Sequence, residues 1–398
     1  MKKQYDIITF HPRRHHNFEQ AARIEKYFES FKHLTGLFYS QEMVTFASKF
    51  SKNLANNLSR RSYKFQKQET VSNYPFHEYA RLIDEKLRKP IDYGKYNSQF
   101  ARWILKNYAP PKIALGFDTL SLDVFEAWKG KSKLILDLVI GVPHYRAMLD
   151  AGLTEYSREI LTKRSESDKL LYKHYDRELE LADLILCGSD FVKKTCKTIG
   201  IPDEKLKVIN YGVDVERFDN GKKVLTDKKE GLRFIFIGAV GYRKGADILV
   251  EAWQELIKRQ PKNELHFYGK VELDFPKNIA NLHFHGQVNQ AELISDLRKS
   301  DILVFPTTFE GSSYSIYQAM ASKLAVITTE NSGTVLENEK SAIILPIGNP
   351  KNWANAMEML ILNPERRNLL AEAAYKKAFD YTWDKYGEKL KEVLTELV

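Results

Sequence analysis

The stretch Ile302-Leu303-Val304-Phe305-Pro306-Thr307-Thr308-Phe309-Glu310-Gly311-Ser312-Ser313-Tyr314-Ser315-Ile316-Tyr317-Gln318-Ala319-Met320-Ala321 changes its periodicity midway. Its first four residues form a continuous apolar run, the pattern of a buried strand. Pro306-Thr307-Thr308 reads as a turn, and Ser312 or Ser313 as the cap of a following helix. A helix that starts where a strand ends aims its unpaired N–H groups and positive dipole end at the strand's carboxyl edge, an arrangement that binds phosphate. Glu310, Gly311, Ser312 and Ser313 are expected to line that pocket. Gln318 is expected about a turn and a half into the helix.

The same strand-helix alternation recurs along the chain. Asp6 to Phe10, Lys112 to Gly116, Leu134 to Asp137, Leu184 to Cys187 and Leu206 to Ile209 read as strands of one sheet. Arg233 to Gly238, Glu264 to Gly269, Leu282 to His285, Ile302 to Phe305, Ala325 to Thr328 and Ala342 to Leu345 read as strands of a second. Helical patterns such as Asp247 to Lys258 and Gln290 to Arg298 lie between them. Alternation of this kind predicts an α/β fold of two parallel sheets, with ligands beyond the carboxyl ends of the strands. Tyr211 to Phe218 and the polar, Lys-rich run Asp219 to Gly231 read as the interdomain linker. The expected division is residues 1–210, residues 211–380 and a final segment, residues 381–398.

A second loop, Gly238-Ala239-Val240-Gly241-Tyr242-Arg243-Lys244-Gly245, also follows a strand and precedes a helix. Glycines let a backbone approach a ligand closely, and the adjacent cations can neutralise a diphosphate. The competing reading is a simple turn with solvated cations.

The chain has 398 residues, 43% hydrophobic and 28% charged, which excludes disorder and fits two α/β domains. Its two cysteines, Cys187 and Cys196, cannot staple a chain of this size. No apolar run is long enough to span a bilayer, and Asp6 and Arg13-Arg14 interrupt any leader-like start, so the cytoplasm is the expected location.

The net charge of +9 is concentrated near the beginning. Residues 1–100 hold 18 Lys and Arg against 10 Asp and Glu, a balance of +8. Met43 to Gln68 carries Lys49, Lys52, Arg60, Arg61, Lys64 and Lys67 with no acid, and Phe46, Phe50, Leu54 and Leu58 recur every four residues. This spacing predicts one helix with an apolar side. That side either faces the core, the reading favoured here, or lies on an anionic membrane surface. No zinc-finger spacing or RNA-recognition motif is present, and no nucleic-acid partner is expected.

Four segments together resemble a family 4 retaining glycosyltransferase of the GT-B fold, in which two Rossmann-like parallel-sheet domains face each other across a cleft. They are Ala182 to Val192, Lys207 to Phe218, Arg243-Lys244-Gly245 and Glu310 to Gln318. The resemblance is strong from about residue 181 to 383 and weak before 130. It implies that the donor is a nucleoside diphosphate sugar (UDP- or GDP-linked), bound without cofactor or metal. Lys244 and Arg243 would hold the diphosphate, and Glu310 would contact the transferred sugar. Gln318 would bind the ribose, and the segment around Gln287 and Val288 would lie near the base. It implies a histidine from the first domain, for which His144 is the candidate, and a last helix crossing back to that domain. The acceptor would be a glycan or lipid-linked hydroxyl.

The chain departs from the family pattern in several places. Ala239 stands where the family usually has Arg, and Gln318 stands at the second acidic position. The loop His11-Pro12-Arg13-Arg14-His15-His16 replaces a Gly-Gly turn and is expected to place cations at the cleft edge. A GT-B epimerase or phosphorylase, or a binding subunit without turnover, are the alternatives. The absence of an Asp-x-Asp at a strand end agrees with metal-independent transfer.

Overall fold

The computed structural model describes all residues except 1, 88, 90, 144–165, 220, 222–230, 277 and 398. The apolar runs fold as β1 (Ile7–Phe10), β2 (Phe31–Thr35), β3 (Val71–Asn73), β4 (Ile113–Phe117), β5 (Lys133–Leu138), β6 (Leu184–Cys187) and β7 (Leu206–Val208). The second set is β8 (Arg233–Ile237), β9 (Glu264–Tyr268), β10 (Leu282–Gly286), β11 (Ile302–Phe305), β12 (Ala325–Thr328) and β13 (Ile343–Ile344). Among the described residues the sheet orders are β3-β2-β1-β4-β5-β6-β7 and β10-β9-β8-β11-β12-β13. Every pairing of these strands is parallel. The central strands are buried along almost their whole length, as sheets covered on both faces require. Chain order reverses at β1/β4 and at β8/β11, and at such points crevices open beyond the strand ends.

Two strands are not visible in the apolar pattern. β2 reads Phe-Lys-His-Leu-Thr and is wholly buried. Two of its polar side chains are satisfied internally: His33 bonds Thr9 Oγ1 at 2.8 Å and Asn17 Nδ2 at 3.1 Å, and Lys32 Nζ donates to the Glu69 carbonyl. β3, Val-Ser-Asn, has no apolar run at all.

The basic stretch departs from expectation. It forms two helices, α2 (Gln41–Ser48) and α3 (Lys52–Ser59), because extended Ser51 interrupts the chain and its Oγ caps the second helix at Leu54 N–H. The apolar side does not face the core. Phe46 is 63% and Phe50 73% exposed, with Met43 and Leu54 also in solvent, while Ala47 and Ala55 make the inward contact. A neighbouring helix, α4 (Pro75–Lys86), shows Phe76, Tyr79 and Ile83 on one exposed face, continued by Leu87. Tyr39 and Tyr79 hydroxyls, 3.2 Å apart, join the two patches.

Among the described residues the two domains are joined through loops and through the last helix. Gly311 bridges Ile140 in antiparallel fashion, and a Cβ on Gly311 would lie 2.0 Å from the Val139 carbonyl oxygen, so only glycine allows this approach. The last helix, Trp383–Thr395, packs against α1 (Asn17–Tyr27): Gln20 Nε2 donates to Tyr386 Oη at 2.9 Å, and Lys26 pairs with Asp384 at 2.8 Å. Of the run read as a linker, residues 220 and 222–230 lie outside the described residues.

Candidate active site

The loops after β1, β8 and β11 meet around one cleft of about 1170 Å³, lined by both domains. That volume exceeds the usual range of about 300–1,000 Å³ for a single small ligand. Gly245 joins two of the loops. It has φ of +71°, and a Cβ there would lie 2.0 Å from the Pro306 carbonyl oxygen. The close packing lets Thr308 N–H donate to the Arg243 carbonyl at 2.9 Å, a bond seconded by the hydroxyls of Thr307 and Thr308. The turn residues Arg243 and Lys244 are thereby fixed beside Glu310.

Lys244 Nζ lies 2.6 Å from Glu310 Oε1, and Arg243 Nη1 donates to the same oxygen and, at 2.9 Å, to the Phe309 carbonyl. Burial pushes the Lys244 ammonium below its ordinary range. Glu310 raises it again, and the like charge of Arg243 lowers it further. Two cations therefore converge on one carboxylate in a partly dry crevice, where an anion experiences them strongly.

The other expected residues divide. Ser312, Ser313 and Gln318 line the cleft, whereas Gly311 does not, its backbone being packed against Val139 and Ile140. Ser312 Oγ is 3.0 Å from Tyr317 Oη, and the Ser313 N–H donates to the Ser332 carbonyl at 3.2 Å, which removes that amide from the expected phosphate cradle. The Ser313 hydroxyl, by contrast, is buried with no hydrogen-bond partner among the described residues, and so is that of Tyr211, which also lines the cleft. Buried polar atoms are seldom left so, and both are suited to a ligand. Gln287 is exposed, and neither it nor Val288 lines the cleft; Gln290 and Leu293, from the first turn of the next helix, do. His144 lies outside the described residues.

The loop after β1 differs from its expected character. His15 is pushed down to about 3 by burial and then by His16, and His11 is lowered well below its ordinary value, chiefly by burial. These imidazoles are neutral near pH 7, so Arg14 is the loop's cation at the cleft. His16 Nε2 donates to Asp137 Oδ2 at 2.9 Å, and Gln20 Nε2 donates to the same oxygen at 2.7 Å. With that tautomer, His16 Nδ1 accepts from His15 Nδ1 at 2.6 Å. The chain leaves His15 Nε2 as an acceptor at the cleft. Asp137, read only as a strand residue, was missed as a site residue. An acid within the buried end of a parallel strand is the signal that points to it.

The architecture is the GT-B fold, two Rossmann-like domains across a cleft. Within it, residues 231–363 match the family described as Glycosyl transferases group 1. The chain is similar to a D-inositol 3-phosphate glycosyltransferase of Corynebacterium jeikeium, 25% identical over 242 residues that span 54% of this chain and 58% of that protein. It thus spans little more than half the length of that relative. Its fold is similar to a crystal structure of Anabaena HepE in complex with UDP and glucose, with a TM-score of 0.64, 14% identity, and coverage of 99% of this chain and 100% of the other. It is likewise similar to WaaG, a glycosyltransferase involved in lipopolysaccharide biosynthesis, with a TM-score of 0.62, 13% identity, and coverage of 98% and 99%.

Proposed function

We propose that the chain moves a sugar from a UDP- or GDP-sugar to a hydroxyl of a glycan or lipid-linked acceptor, with retention at the anomeric carbon and without a metal. The observation that carries this reading is the convergence of Lys244 and Arg243 on Glu310 within the cleft. As the bond from the anomeric carbon to the diphosphate oxygen breaks, negative charge grows on the departing group. Preorganised cations aimed at such charge contribute about 3–4 kcal/mol each. Lys244 and Arg243 would meet the diphosphate, leaving the Glu310 carboxylate for the hydroxyls of the sugar. The Ser313 hydroxyl would donate to a phosphate oxygen, and Gln318 would bond the ribose. The acceptor oxygen forms the new bond on the face the diphosphate leaves, and its proton passes to the departing phosphate. His15, held through His16 by Asp137, would receive a hydroxyl of the sugar or the acceptor.

The exposed faces of α2, α3 and α4 support a partner for the first domain. Phe46, Phe50, Phe76 and Ile83 stand in solvent beside exposed Lys49, Lys52, Arg60, Lys64 and Lys67. An anionic membrane surface complements both features, and each basic residue near it contributes about 1 kcal/mol. The enzyme would then work peripherally, on the inner face of a membrane carrying its acceptor.

A thermal-shift panel of UDP-, GDP- and ADP-sugars tests the donor assignment. One nucleotide class should raise the midpoint in wild type and fail to do so in Lys244→Met. Proton NMR of the product with the matching donor should show the donor's anomeric configuration, with turnover unchanged in excess chelator. No shift with any of the three would remove the reading.

A further inference from the structure

Away from the cleft, the outer strand of the second sheet carries an unusual set of side chains. β9 and β10 pair in parallel register with His266 opposite His283. Strand residues two apart share a face, so Glu264 joins His266, and His285 joins His283, on one side of the sheet. The rings confirm it: the His266 ring is stacked on His283 at 4.6 Å and on His285 at 5.2 Å between centroids, with the planes within 22° of parallel. His266 is buried at the centre, while Glu264, His283 and His285 are open to solvent.

Both nitrogens of His266 are engaged. Nε2 is 3.1 Å from Glu264 Oε2, and Nδ1 is 2.9 Å from His285 Nε2. Donor atoms of Glu264, His266 and His283 all lie within 4.8 Å of one another. In a tetrahedral site with bonds of about 2.0–2.2 Å, neighbouring ligand atoms stand about 3.3–3.6 Å apart. Glu264 and His266 already have that spacing within a few tenths of an ångström. His283, on an exposed edge strand, needs only a side-chain rotation to close the third corner.

We propose that Glu264, His266 and His283 form a site for a divalent transition metal ion, with water in the remaining position. Two imidazoles and one carboxylate suit zinc or cobalt and disfavour magnesium or calcium, which take oxygen ligands. His285 acts as the outer partner that fixes the ring of His266, and it is itself stacked on Tyr268 with centroids 4.4 Å apart. The nearest fixed cation, Arg233, is occupied by Tyr268 Oη at 2.9 Å and by Asp296 at 3.6 Å. None of the three ligands lines the cleft, so the ion would pin the edge strand β10 to β9 rather than take part in sugar transfer.

The test is a titration of the chelator-treated full chain with Co²⁺, followed by its visible absorption. The expected result is one equivalent bound with an intense tetrahedral band, displaced by Zn²⁺. Glu264→Gln and His283→Ala should each weaken binding about tenfold or more, and together abolish the band. Zn²⁺ should also raise the thermal midpoint of wild type and not of the double variant. A hydrogen-bonded array that holds no ion would give no band at one equivalent. That result, or a band that survives in the double variant, would overturn the proposal.

Discussion

Replacing Lys244 by Met isolates the charge from the rest of the side chain. The stem keeps its place over the Phe305 ring, which the ammonium approaches to 4.9 Å, and only the cation is lost. The carboxylate of Glu310 is not orphaned, because Arg243 still donates to it. Burial already opposes the Lys244 charge. The loss of the pair is therefore offset in part by the removal of a desolvated ion, and stability should change by no more than about 1–2 kcal/mol. For domains of this size that is a midpoint shift of about 2–8 °C. Catalysis should suffer much more. A cation 85% shielded from water and aimed at the departing diphosphate should contribute about 3–4 kcal/mol, or about 10²–10³-fold in rate. Arg243, whose side chain is 37% exposed, is better screened, and Arg243→Met should cost about tenfold. The assay is the initial rate of nucleoside diphosphate release from the preferred donor with acceptor present, run beside a melting curve. If Lys244→Met keeps a rate within about threefold of wild type while folded, the electrostatic argument fails.

Further outcomes follow from the geometry. Gly311→Ala would place a methyl 2.0 Å from the Val139 carbonyl oxygen, so it should cost about 1–3 kcal/mol in urea unfolding and loosen the contact between the domains; an unchanged midpoint would show that the loops are not held together there. Phe46→Ser with Phe50→Ser should leave stability within about 1 kcal/mol, both rings being exposed, yet lower sedimentation with phosphatidylglycerol vesicles about tenfold or more; undiminished sedimentation would remove these helices from the membrane contact. His15 and His33 are each held down to about 3, so the unfolded chain binds their protons first as pH falls below about 6.5. Stability is thus present above that pH and lost progressively toward pH 3, with these two groups adding a slope of about 2.7 kcal/mol per pH unit near pH 4.5–5. Urea midpoints at a series of pH values measure it, and His33→Gln should halve this contribution.

Much of the frame was legible because it rests on apolar strands that are buried on both faces and therefore read as uninterrupted runs. Ile302–Phe305 and Arg233–Ile237 needed little beyond their composition and the turns that follow them, Pro306-Thr307-Thr308 and Gly238. β2 was hidden because Lys32 and His33 occupy buried positions whose hydrogen bonds come from residues distant in sequence. The site was partly legible for the same reason. Arg243, Lys244 and Glu310 belong to loops that follow predictable strands, so their convergence could be foreseen. The imidazole chain on Asp137 could not, since it joins residues 121 positions apart. Exposure of Phe46 and Phe50 was likewise illegible, because a spacing of four marks an apolar face without saying what covers it. Gln287 and Val288, expected near the base, lie a few positions short of the cleft, as the helix that reaches it begins at Gln290.

The most direct measurement is a crystal structure of the chain soaked with its nucleoside diphosphate sugar. The expected result is phosphate oxygens of the diphosphate within hydrogen-bonding distance of Lys244 Nζ, Arg243 and the Ser313 hydroxyl, with Glu310 turned to the sugar. Phosphates seated away from Lys244 and the turn before Tyr314, with Glu310 still paired to both cations, would contradict it.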